Sequence, residues 1–346
     1  MILFNSDYLE GCHPEILKRL QEANLEQTQG YGADEYCEKA REVIRELCSK
    51  PDADVHFLVG GTQTNSTVIS SALRPYQGVL CAESGHINVH ETGAIEHGGH
   101  KVLPLPAVDG KVSADSVLAA LKTHFDDADR EHLVQPGMLY ISFPTELGTL
   151  YSRDELFALK DLCSQWGLPL FIDGARLGYG LASSSCDVTI QDLAQIADVF
   201  YIGGTKQGAL FGEAVVITND ALKKDFRYCI KQEGAMLAKG RLLGIQFDTL
   251  LRNGLYFSIA AQADALAERI RKAFSDAGFE FFVESHTNQQ FPILTPEAAE
   301  SLSKDFGFEL WDRLPDGRQV VRFCTSWATS VEQVDALIAR IEGFIS

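Results

Sequence analysis

The sequence predicts an α/β fold: a mostly parallel sheet covered by helices, followed by a smaller α/β unit at the carboxyl end. Three observations lead there. Short β-rich runs alternate with longer helical patterns from about residue 35 to 220, the rhythm of a parallel sheet. Three apolar runs, "GMLYISFPTELG", "LPLFIDGARLG" and "DVFYIGGTKQG", end alike in small and polar residues. The length of 346 residues accommodates one large and one smaller domain.

Taken in order, an amino-terminal arm (1–30) precedes "DVHFLVGG", a strand leading into a helix that starts near Gln63. "GVLCAES" is the next strand, followed by a helix through His90, Ala94 and Ile95. The three apolar runs come next, and in a parallel α/β sheet ligands bind outside the carboxyl ends of the strands. Glu146, Asp173 with Arg176, and Lys206 therefore have the positions needed to meet in one cleft. The alternation stops near residue 225, and "AMLAKGRLLGIQF" and "SIAAQADALAERIRKAF" form a long helical region. "FEFFVE", "QQFPIL" and "QVVRFCTSW" read as strands of the smaller unit, closed by a helix from about Val331. The boundary falls at 250/251, giving a large domain 1–250 and a small one 251–346.

Composition excludes several functions. Thirty Lys+Arg against 48 Asp+Glu give a net charge of −18, which argues against a nucleic-acid or anionic-membrane partner. The eight cysteines form no CxxC pair and no metal-ligand spacing, so no metal site is expected and the thiols read as reduced. No apolar run is long enough to span a bilayer, and "MILFNSDYLEG" lacks the basic and apolar regions of a signal peptide, so the cytoplasm is expected.

Individual residues each admit two readings. "VGGTQTN" offers backbone N–H groups, a hydroxyl and a helix dipole to an anion at Gly61 and Thr62, or is an ordinary strand–turn–helix joint. Asp173 ends a wholly apolar strand and needs a cationic partner, either Arg176 or the protonated ring nitrogen of a cofactor. Lys206 stands in the mostly apolar and glycine-rich stretch "YIGGTKQGALFGEAVV", where Glu213 is the other charge. A lysine there snorkels to water, finds a counter-ion, or loses its proton and becomes a nucleophile. His86 is flat enough to cover a heteroaromatic ring, or serves as a structural hydrogen-bonder. Arg322, inside the apolar "VVRFCTSW", binds a carboxylate from outside or pairs with an acid such as Asp312. Taken together, an anion cradle, a stacking group, a buried acid, a reactive lysine and a carboxylate-binding arginine suit pyridoxal 5′-phosphate.

Along nearly the whole chain, from "FNSDY" through "GYG", "GGTQTN", "SGHINVHETGA", "FIDGAR" and "GGTK" to "VVRFCTSWAT", the sequence resembles the fold-type I threonine aldolases of the aromatic amino acid β-eliminating lyase/threonine aldolase superfamily. The resemblance implies the pyridoxal-phosphate-dependent transferase (aspartate aminotransferase) architecture, and a homodimer or homotetramer with shared active sites. It implies retro-aldol cleavage of L-threonine, L-allo-threonine and related β-hydroxy amino acids to glycine and an aldehyde. Within it Lys206 matches the Schiff-base lysine, Asp173 the partner of the ring nitrogen and His86 the stacking group. Arg176 reaches the phosphate or phenolic side, and Gly61 with Thr62 the phosphate. Ser6 and Arg322 match the groups that hold the substrate carboxylate, and Tyr31 an entrance tyrosine from a neighbouring subunit. Two departures stand out. Glu146 occupies a place where many relatives carry a histidine, which makes Glu146, His86 or a water held by them the candidate base. Leu237 stands where relatives have a phosphate-approaching arginine, and Lys239 is the candidate substitute. A β-eliminating lyase or transaminase on the same fold, or a catalytically silent cofactor-binding protein, are the alternatives.

Overall fold

Strands whose residues are all buried need cover on both faces, and the central sheet obeys this. The computed structural model describes residues 1–344. Strands β1 (Ile2–Leu3), β2 (Asp54–Leu58), β3 (Gln77–Ala82), β4 (Lys101–Leu105), β5 (Gln135–Ser142), β6 (Leu170–Asp173), β7 (Val199–Gly203) and β8 (Glu213–Ile217) come first in the chain. After them come β9 (Gln289–Gln290), β10 (Ile293–Leu294), β11 (Phe306–Gly307), β12 (Glu309–Arg313) and β13 (Gln319–Cys324). Seven form one sheet in the order β2-β8-β7-β6-β5-β3-β4, parallel except for β8, which runs against both neighbours.

Apolar side chains close both faces of this sheet. On one, Val79, Tyr140, Phe171 and Tyr201 meet Val68 and Ile69 of the helix Gly61–Ala72. On the other, Leu139, Ile172 and Ile202 meet Leu156 and Leu159 of the helix Arg153–Trp166 and Phe247 of the helix Arg241–Leu251. The ends of β5, β6 and β7 are laced together: Ser142 pairs with Asp173, Phe143 N donates to Asp173 O (2.8 Å), and Gly203 N donates to Gly174 O (3.0 Å). A Cβ at Gly174 would lie 1.9 Å from Tyr201 O, and one at Gly203 2.4 Å from Ala175 O. Both glycines are there because the two segments approach too closely for a side chain.

Beyond residue 280 a smaller antiparallel sheet sets β10 and β12 on either side of β13, with β9 also pairing β13. β1 pairs with β11, tying the amino terminus to this part of the chain. The helix Val331–Glu342 closes it, as expected. Two expected elements differ. "FEFFVE" forms a single bridge between Phe281 and Pro292 and no strand; Pro292 lacks the N–H that a ladder needs and divides "QQFPIL" into β9 and β10. The helix expected through His90 and Ile95 is two short ones, His86–Val89 and Ala94–His97. Left-handed Thr92 (φ 54°) and Gly93 (φ 72°) break it. No helix among the described residues is long and apolar enough to cross a membrane.

A buried carboxyl without a hydrogen-bond partner lies outside the sheet. Asp264 lies on the buried side of the helix Leu255–Asp276, is 8% exposed, and neither carboxyl oxygen has a hydrogen-bond partner. Burial pushes its pKa up to about 9 from an ordinary 3.8. Between those two values the folded chain holds a proton that the unfolded chain has released, so stability falls as pH rises from about 4 to about 9. Asp264→Asn should therefore be more stable than the parent by more than about 1 kcal/mol at pH 8, with a smaller gain at pH 5. Urea midpoints at the two pH values check this; an unchanged pH slope would show that Asp264 is not the group responsible.

Candidate active site

The loop joining β7 to β8 is held from several sides. Gly204 N donates to Gly212 O (3.0 Å) and to Glu213 Oε2 (3.0 Å), Gly212 N donates to Thr205 Oγ1 (3.0 Å), and Tyr179 OH donates to Lys206 O (2.7 Å). Lys206 is thereby fixed, half-buried, with Nζ 5.9 Å from the centre of the Tyr8 ring. Burial, reinforced by the Arg176 cation, lowers its pKa below the ordinary lysine value, against the pull of Asp7, Asp173 and Glu213. A lysine so placed is easier to deprotonate and hence closer to a nucleophile. Its neighbour Glu213 is pushed by burial up to about 8.

Asp173, at the end of β6, is buried among donors. Oδ2 accepts from Asn65 Nδ2 (3.1 Å) and Tyr140 OH (2.5 Å), and Oδ1 from Tyr201 OH (2.5 Å) and Ala175 N (3.0 Å). These four bonds use all the lone-pair sites of the carboxylate. Burial, with Asp173 nearby, holds both phenols well above the ordinary tyrosine pKa, so they remain donors. Asn65 Nδ2 also donates to Glu91 Oε1 (2.8 Å), which lies 2.7 Å from His86 Nδ1. In the neutral ring this acceptor puts the hydrogen on Nδ1 and leaves Nε2 as a base.

Glu146 Oε1 accepts from His86 N (2.9 Å) and Ser142 Oγ (2.7 Å). Burial raises its pKa above the ordinary glutamate value, opposed mainly by the Ser142 bond.

The charge partners differ from the sequence reading. Arg176 pairs with Asp7, not with Asp173: Nε donates to Oδ2 (2.6 Å) and Nη2 to Oδ1 (3.0 Å). Asp173 had no cation to find on its own loop because the Arg176 side chain turns to the amino-terminal segment. Burial alone would raise Asp7, but Arg176 overrides it and leaves the carboxyl below its ordinary range. Likewise Arg322 pairs with Glu309, not Asp312. Glu309 is the residue opposite Arg322 in the ladder, whereas Asp312 lies opposite Val320.

One cavity brings together Gly61, His86, Glu146, Asp173, Arg176 and Lys206. Gly61 opens a helix with no side-chain cap, and Thr62 beside it is exposed. Ser6 Oγ and Arg322 Nε are buried without partners. Ser6, Thr62 and Arg322 do not line the cavity, and neither do Tyr31 and Lys239. The last two adjoin each other elsewhere, where Tyr31 N donates to Ala238 O (3.1 Å), and both are exposed. Leu237 packs against the core. Among the described residues no group of three His, Cys, Asp or Glu side chains is placed to hold a metal, and the eight cysteines are free.

Sequence reasoning missed Asp7, Asn65, Glu91, Tyr140, Tyr201 and Glu309. Asp7 and Asn65 lie inside motifs singled out for other residues, "FNSDY" and "GGTQTN". A tyrosine inside each of two apolar runs was the available signal for Tyr140 and Tyr201.

The chain resembles known proteins closely. A family model described as beta-eliminating lyase matches residues 4–296. A low specificity L-threonine aldolase of Pseudomonas sp. (strain NCIMB 10558) is 31% identical over 346 residues, covering 99% of this chain and 98% of the relative. The solved structure of a Leishmania major threonine aldolase superposes with a TM-score of 0.97 at 43% identity, covering 100% of both chains. An aspartate aminotransferase of Thermus thermophilus shares the fold, with a TM-score of 0.73 at 14% identity over 99% of this chain and 91% of its own.

The Asp7–Arg176 pair gives a stability test. Asp7→Asn leaves a buried guanidinium without its anion and should cost about 3–5 kcal/mol. Replacing both residues, as Asp7→Asn with Arg176→Met, should cost less than Asp7→Asn alone. Urea unfolding at pH 7 measures both; equal losses would show that the pair is not coupled.

Proposed function

The chain belongs to the beta-eliminating lyase family and is a pyridoxal-phosphate-dependent lyase, and from that premise we propose that it cleaves L-threonine, L-allo-threonine and related L-β-hydroxy-α-amino acids to glycine and an aldehyde. The observation that carries this reading is the convergence of Lys206, Asp173 and His86 on one cavity, with the partnerless buried donors Ser6 Oγ and Arg322 Nε as candidate holders of the substrate carboxylate.

The residues fit pyridoxal phosphate. Lys206, with its lowered pKa, is suited to hold the aldehyde, and the uncapped helix start at Gly61 and Thr62 to hold the phosphate, with Arg176 beside it. Asp173 would hold the proton on the ring nitrogen in exchange for one of its present donors, and His86 would cover the ring. When bound, the cofactor supplies an electron sink for the carbanion that forms at Cα. Arg322 and Ser6 would hold the substrate by its carboxylate and so fix the orientation of its Cα–Cβ bond. Glu146 or His86 Nε2 takes the proton of the β-hydroxyl, directly or through a water. Both lie on the same cavity wall, joined by the His86 N to Glu146 bond.

Further parts of the reading rest on the same features. Exposed Tyr31 and Lys239, away from their own cavity, fit a homodimer or homotetramer in which each chain completes a neighbour's site. Eight unpaired thiols fit the reducing cytoplasm. The chain divides into a large cofactor-binding domain, 1–250, and a small one, 251–346, with strand β1 reaching across to the latter.

Incubating the pyridoxal-phosphate-loaded protein with L-threonine should yield glycine and acetaldehyde in equal amounts. A keto acid with ammonia would point instead to elimination on the same fold. Glu146→Gln keeps size and hydrogen bonding but removes a base, and should slow cleavage of L-threonine by about 10²–10⁴-fold. It should also remove an acidic limb that lies above the ordinary glutamate range, since burial raises Glu146. A parental rate with a parental pH profile would transfer the proton to His86 or a water.

A further inference from the structure

Glu309 has no part in the chemistry above, yet it occupies the residue expected to receive the substrate. It lies on β12 directly opposite Arg322 of β13, and its Oε2 accepts from Arg322 Nη2. The arginine is 7% exposed, whereas the Glu309 side chain is 48% exposed.

The guanidinium has five N–H hydrogens in a fixed plane. Nη2 uses both of its own, on Glu309 Oε2 and on Asn5 O (2.9 Å). Nη1 donates to Gln289 Oε1 (3.2 Å), and Nε is buried without a partner. The Trp311 ring centre lies 5.4 Å from the guanidinium carbon and covers one flat face. A carboxylate that grips a guanidinium with both oxygens does so along one of two edges, Nε with Nη2 or Nη1 with Nη2. Arg176 grips Asp7 by the first of these. Either edge includes Nη2, so an incoming carboxylate must displace Glu309 or Asn5 O.

Asn5 O cannot easily leave. Its segment is pinned by Phe4 N donating to Gly307 O (2.7 Å), Asn5 Nδ2 donating to Phe308 O (3.0 Å) and Cys324 N donating to Phe4 O (2.8 Å). Glu309 has only its half-exposed side chain to swing into water. We propose that Glu309 is an internal competitor for the substrate α-carboxylate, a specificity-setting residue that compensates the buried Arg322 charge between turnovers and is displaced when an amino acid binds. Amino-acid affinity is accordingly held below what Arg322 and Ser6 would provide alone, and a ligand whose anionic group cannot span the Nη2 edge fails to dislodge Glu309. The proposal rests on the reading of Arg322 as the carboxylate anchor.

The test is a glycine titration of the holoenzyme, followed by the absorbance of the bound cofactor, together with KM and kcat for L-threonine. Removing the competitor in Glu309→Gln should lower the glycine Kd about three- to five-fold, the scale of a half-exposed ion pair, and the change should fall on KM rather than on kcat. Glu309→Ala, which cannot accept from Nη2 at all, should tighten glycine at least as much. An unchanged or weakened glycine Kd in both variants would overturn the proposal and make Glu309 a mere support for Arg322. Arg322→Lys separates the two levels: it should weaken glycine strongly, and a parental Kd there would overturn the anchoring role of Arg322 itself.

Discussion

Strands β5, β6 and β7 lie side by side and parallel, so their carboxyl ends stand within one or two strand spacings of each other wherever the intervening helices travel. The rest of the site depends on this constraint. Glu146 follows β5, Asp173 ends β6 and Lys206 follows β7, and the lacing of Phe143, Gly174 and Gly203 turns nearness into fixed geometry. The glycines at 174 and 203 are part of the same device, because any side chain there would force the strand ends apart.

Compensation of buried charge is the second theme. Two buried arginines face anions from elsewhere in the chain: Arg176 meets Asp7 of the amino-terminal segment, and Arg322 meets Glu309 across a strand pair. Lys206 lies in the field of Asp7, Asp173 and Glu213 but is bound to none of them by an ion pair, and burial tips it toward its neutral form. The distinction is chemical. Arginine keeps its charge when buried, whereas lysine changes protonation state readily when desolvated.

The acids divide in a similar way. Glu146 and Glu213 are buried with few donors, and burial raises both above the ordinary glutamate range. Asp173 is equally buried but accepts from Asn65, Tyr140, Tyr201 and the Ala175 amide. Four donors aimed at one carboxylate fill its lone-pair sites and fix its orientation.

The sequence by itself determined the α/β rhythm and the strand ends, and with them the positions of Lys206, Asp173, His86 and Glu146 after apolar runs, because these follow from local pattern: an apolar run, then small residues, then one polar group. It also carried the motifs by which the family is recognised. It did not determine which acid meets which base. Arg176 is three residues from Asp173 yet pairs with Asp7, 169 positions away, and Arg322 takes Glu309, the residue opposite it in the ladder, rather than Asp312, which lies opposite Val320. The break of the helix at Thr92 and Gly93 and the loss of the "FEFFVE" strand beside Pro292 were likewise decided in three dimensions. Strand and helix periods are properties of neighbouring residues, whereas ion pairs, register and the ring of donors around Asp173 depend on which segments the folded chain brings together, and only the tertiary structure contains that.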